Sequence, residues 1–130
     1  MSRSNFENLV VYQLSEKLSD EIWAVVGGWD YFSKDTVGKQ LVRSADSIGA
    51  NIAEGTGRGS FQDNRRFVRN ARGSPNETRH YLRGAHRRNL MSAERTKRIK
   101  PLIDELSPRL NAYLRSIGPI SVDAEKDADP

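Results

Sequence analysis

The chain has 130 residues, no cysteine, 36% hydrophobic and 29% charged residues, enough for one domain with a modest core, and the lack of thiols excludes disulfides and thiolate metal sites. Its net charge of +4 conceals three blocks: residues 1–55 carry 5 Lys/Arg against 8 Asp/Glu, residues 56–100 carry 13 against 3, and residues 101–130 carry 3 against 6. No stretch approaches the ~20 apolar residues of a membrane span, and the N-terminus lacks a basic segment followed by an apolar run, so the expected location is the cytoplasm.

Helical spacing dominates from the start. Leu9, Tyr12, Leu14, Leu18, Ile22 and Val25 recur mostly at steps of three or four, which predicts a buried helix face. Gly27-Gly28 ends this first helix, and residues 29–35 read as a loop. A second helix is expected from about Thr36 to Glu54, with Val37, Leu41, Ala45, Ile48 and Ile52 on one side. Ser60, followed three residues later by Asp63, has the form of a capping box. It opens a third helix running to about Asn89. Ser92 is placed to cap a fourth, whose apolar residues include Ile99, Leu102, Leu106, Leu110, Tyr113, Leu114 and Ile117, and Gly118-Pro119 stops it. Pro75 falls inside the third helix and Pro101 and Pro108 inside the fourth, so kinks or interruptions are expected there. No strand pattern competes. The fold class is therefore all-α, an up-down-up-down four-helix bundle over residues 1–118. An acidic tail without structure of its own follows over 119–130. The lean apolar content favours a protomer that buries further surface by self-association.

Between the second and third helices the chain reads Glu54-Gly55-Thr56-Gly57-Arg58-Gly59-Ser60. A carboxylate at a helix C-terminus opposes the helix dipole. It is expected to reach the amides that open the third helix, or to pair with Arg58 or Arg66, while the glycines let the two backbones approach. The loop follows a helix rather than a strand and lacks the Gly-Lys-Ser/Thr ending of a phosphate loop, so a tight helix connection outweighs a nucleotide site. Glu54 reads as structural rather than catalytic.

On a helical wheel Arg65, Arg69, Arg72, Arg79, Arg83 and Arg87 fall within about 80° of one another. Phe67, Ala71, Thr78, Leu82 and Ala85 lie opposite. The stripe is roughly 33 Å long at 1.5 Å per residue. Solvated faces normally mix charge signs, whereas here only Asp63 and Glu77 are near. The stripe thus reads as a phosphate-binding face. Arginine's planar fork suits that role, and with only His80 and Tyr81 interleaved, backbone electrostatics outrank base stacking. His80 and His86 lack helical pairing and a carboxylate cluster, so no metal is expected. No cofactor is expected either, and no nucleophile–base set or paired carboxylates point to an enzyme.

The segments "SIGANIAEGTGRGS" and "RRFVRNARGSPNE" resemble the bacterial four helix bundle proteins, first noticed as products of intervening sequences inside 23S ribosomal RNA genes. The pattern falls on Ser47, Ile48, Ala50, Asn51, Ile52, Ala53, Glu54, Gly55, Gly57, Arg58, Ser60, Asp63, Arg66, Phe67, Ala71, Gly73, Ser74 and Glu77. Gly49 stands where the family has proline, and Asn64, Asn70, Pro75 and Thr78 stand where it favours apolar or aromatic residues. The resemblance runs from about Phe6 to Gly118. It implies a four-helix protomer assembled as a ring, commonly a pentamer, in a family whose biochemical role is mostly unassigned. It also implies kinship with the accessory protein of diversity-generating retroelements, a basic pentameric barrel that binds nucleic acid and a reverse transcriptase.

Residues and resemblance together give an oligomeric basic bundle that binds RNA or DNA through phosphate contacts. The alternative is an interaction scaffold whose basic face docks an acidic protein.

Overall fold

A computed structural model describes residues 6–118. A single 3-10 turn, Phe6–Asn8, leads into α1, Val10–Gly27. A short helical turn, Tyr31–Ser33, and a π-helical segment, Lys34–Gly38, run directly into α2, Lys39–Thr56. Two long helices follow, α3 over Phe61–Arg87 and α4 over Ala93–Ser116. Each helix packs on its neighbours in the chain, α4 closes on α1, and the diagonal pairs make no close backbone approach. This is the four-helix bundle that the spacing predicts. The expected acidic segment 119–130 lies outside the described residues.

The core follows the apolar stripes. Leu18, Ile22, Leu41, Ile48, Ile52, Ile99, Leu106, Leu110 and Leu114 are fully enclosed. Each helix supplies its stripe to one shared interior, so packing rather than propensity holds short helices in place. Ser60 Oγ accepts a hydrogen bond from the Asp63 amide at 3.1 Å, and Ser92 Oγ accepts one from the Arg95 amide at 3.1 Å. Both are N-caps of the kind their sequence positions suggest.

Three local expectations need correction. The loop expected over 29–35 is mostly helix. Asp30 caps it, its carboxylate accepting from the Ser33 amide at 3.2 Å and the Ser33 hydroxyl at 2.6 Å. The following π-turn absorbs the register shift that hid this helix from a wheel. Second, α2 continues past Glu54 to Thr56. Gly55 does not break the helix but lets α3 approach, because a Cβ there would sit 2.5 Å from Asn64 Oδ1 and 3.1 Å from Phe67 Cβ. Only Gly59 of the three glycines is left-handed, at φ +83°, where a side chain would be strained. Third, α3 runs unbroken through Pro75 and α4 through Pro101 and Pro108. Apolar residues on both sides of each proline are anchored in the core, and that burial outweighs the lost backbone bond. Pro101 and Pro108 are exposed, so the carbonyls they leave open face water.

Helices α2 and α3 meet along a seam of small polar residues. Ser47 Oγ lies 2.6 Å from Ser74 Oγ. The buried Thr78 hydroxyl contacts Ser44 Oγ at 3.0 Å and the Ser74 carbonyl at 2.8 Å. Thr78, a departure from the family's apolar pattern, is thus a hydrogen-bonded seam residue. Asn51 Nδ2 donates back to the Ser47 carbonyl at 2.8 Å.

Candidate nucleic-acid interface

The arginines of α3 do not form one open stripe. Arg65 is only 8% exposed, and its Nη1 donates to the Ile117 carbonyl at 2.7 Å. It ties the start of α3 to the end of α4 and is not available to phosphate. Arg79 clamps the same two helices farther along. It donates to Asn76 Oδ1 at 2.9 Å, the Ile103 carbonyl at 3.3 Å and Ser107 Oγ at 3.3 Å, and its Nη2 lies 3.5 Å from Asp104 Oδ1. Arg72 Nη1 reaches Asn111 Oδ1 at 3.4 Å. The wheel placed these residues correctly on one side of α3. That side faces α4, because α3 packs against α2 on one flank and α4 on the other.

Glu54 pairs with Arg58 at 3.1 Å across an exposed turn, one of the two partners expected for it. The amide cap expected of it belongs to Ser60 instead. Arg66 lies 3.6 Å from Asp63, and the guanidinium groups of Arg58 and Arg66 both sit over the Phe67 ring, at 4.9 and 4.7 Å from its centroid. The Arg58 contact fastens the glycine loop onto α3.

Five exposed cations gather at the end of the bundle where α3 finishes and α4 begins. Residues 79–100 hold eight Lys/Arg and a single acid, Glu94. Arg83, Arg87, Arg88, Lys97 and Arg98 are exposed and form no ion pair among the described residues. Lys100 pairs with Asp104 at 2.7 Å. That hydrogen bond, with the Arg79 charge nearby, lowers the Asp104 carboxyl below its ordinary pKa against an opposing desolvation cost. Arg88 lies off the arginine face of the third helix, and Lys97, Arg98 and Lys100 belong to the next helix. The charge of the 56–100 block was the signal for them.

The α1–α2 connection lies at this same end. Trp29 Nε1 donates to the Leu90 carbonyl at 2.9 Å, fastening that connection to the α3–α4 turn. Between α3 and α4 a cavity of about 270 Å³ is lined by Leu82, Met91, Ile99 and Ile103, with Arg83 and Lys100 also contributing. His80 and His86 are both exposed, and no group of three or more metal-ligating side chains occurs among the described residues. No described helix is long and apolar enough to cross a membrane.

A family model described as 23S rRNA-intervening sequence protein matches residues 7–112. Among solved structures, a protein of unknown function from the S23 ribosomal protein family of Bacteroides thetaiotaomicron VPI-5482 superposes with a TM-score of 0.71 at 25% identity, covering 82% of this chain and 100% of that one. No curated protein matches significantly.

Proposed function

We propose that this chain, which belongs to the 23S rRNA-intervening sequence protein family, binds the phosphate backbone of RNA or DNA through the basic end formed by α3 and α4. The observation that carries this reading is the cluster of Arg83, Arg87, Arg88, Lys97 and Arg98, exposed and without ion-pair partners among the described residues. Exposed cations held together outside ion pairs attract a polyanion and release its condensed counterions. The protein acts by binding rather than catalysis, in the cytoplasm. Copies assemble, in a ring by the family resemblance, which multiplies the basic end by avidity. Trp23, 69% exposed on α1, is an apolar surface suited to contact between copies. The kinship with the retroelement accessory protein is proposed on the same footing, from the shared motif and basic charge.

Replacing Arg87 and Arg88 together with alanine should weaken binding several-fold and to the same degree for unrelated sequences, because phosphate contacts carry no base information. Fluorescence anisotropy with several labelled oligonucleotides checks this. Unchanged affinity would remove the basic end from the interface, and binding of an acidic protein in place of nucleic acid would favour the scaffold reading. Light scattering checks assembly, and a monomeric mass at micromolar concentration would remove it.

A further inference from the structure

The basic end also exposes two aromatic rings that the linear sequence keeps far from the cations. Tyr31 is 80% exposed and Phe32 is 74% exposed, although a soluble surface seldom leaves large rings so open. Phe32 lines one depression of about 460 Å³ together with Arg88, Leu90, Thr36 and Val37. The Trp29–Leu90 hydrogen bond holds the two connections in this arrangement. Lys34, two residues on, is exposed and has no ion-pair partner among the described residues. The nearby carboxylates are occupied. Asp30 caps its own helix through Ser33, and those hydrogen bonds draw its pKa below the ordinary value. Asp35 pairs with Lys39 at 3.0 Å.

Open aromatic faces beside a cluster of unpaired cations are the combination that single-stranded nucleic acid requires. The rings stack on unpaired bases while the cations hold the flanking phosphates. A duplex keeps its bases stacked on one another and offers the rings nothing. We infer that Tyr31 and Phe32 are base-stacking platforms, and that the basic end selects single-stranded segments, loops or bulges over duplex. The inference rests on the nucleic-acid reading above. Aromatic patches of this kind also seal contacts between protein copies, and the open cations beside the rings, Lys34 and Arg88, favour a polyanion as the occupant instead.

The test compares three labelled probes at one salt concentration: a short oligouridylate, the same strand with abasic sites in place of the bases, and an RNA duplex. Wild-type protein should bind the oligouridylate about tenfold more tightly than the abasic strand, the scale of one stacked base. The Tyr31→Ala/Phe32→Ala variant should lose that difference while binding the abasic strand as wild type does. Both positions are exposed, and circular dichroism verifies the fold. Equal binding of all three probes by wild type would overturn the inference and leave backbone binding standing. A base-dependent difference that survives in the variant would also overturn it, by placing the stacking elsewhere. A changed native mass of the variant would assign the rings to contact between copies. Absence of binding to every probe would instead defeat the nucleic-acid reading itself.

Discussion

Arg65 shows how one side chain can change roles once its neighbours are placed. It belongs to the arginine pattern of α3 but spends its charge on the Ile117 carbonyl, in a setting that is 8% exposed. A charge-assisted hydrogen bond of this kind contributes about 1.5–3 kcal/mol. Arg65→Ala should therefore lower the melting temperature by roughly 10 °C and leave nucleic-acid affinity below the transition unchanged. Thermal denaturation beside an anisotropy titration measures both. A stable variant with weakened binding would return Arg65 to the interface. Glu54 lies at the other extreme. Its pair with Arg58 is exposed on both sides, so its removal should cost at most about 1 kcal/mol. The wheel gave the direction of Arg65 within its helix. It held no information about the carbonyl waiting for Arg65, which lies 52 residues away and is brought up only by packing, whereas the serine that caps α3 was legible from its local spacing to Asp63.

At the scale of elements, the α2–α3 pair is the seam most sensitive to volume. A Cβ on Gly55 would meet Asn64 Oδ1 at 2.5 Å and the Asn64 carbonyl oxygen at 3.2 Å, whereas one on Gly73 would meet nothing within 4 Å. Both glycines belong to the motif. Gly55→Ala should destabilise the bundle by about 1–3 kcal/mol through overpacking, and Gly73→Ala should stabilise it by up to about 1 kcal/mol through helix propensity. Urea denaturation of the two variants gives the comparison, and equal effects would refute the close approach at Gly55. The helices themselves were legible because Leu18, Ile22, Leu41, Ile48 and Leu106 recur at helical spacing and all reach the core. The helical turn at Tyr31 was hidden by the π-segment at Lys34–Gly38, which breaks the wheel's regular rotation. Pro75, Pro101 and Pro108 misled for a different reason. Local chemistry argues for breaks, while core contacts on both flanks keep the helices whole.

At the scale of the molecule, the sequence located the charge by block and the fold decides where that charge is open. Arg65 and Arg79 are drawn into the α3–α4 joint. Arg83, Arg87, Arg88, Lys97 and Arg98 remain at the end where the Trp29–Leu90 bond brings the other connection alongside. Nothing in the spacing of residues announces that Phe32 and Arg88 share a depression, since 56 positions separate them. The central claim is that this end binds nucleic acid by displacing counterions. The measurement that tests it most directly is the affinity of the wild-type protein for a short RNA over a series of salt concentrations. A set of five contacts per protomer predicts a straight line of log affinity against log salt with a slope of about −3.5 for single strands. Affinity that is absent at low salt, or that stays flat across the series, would contradict the account.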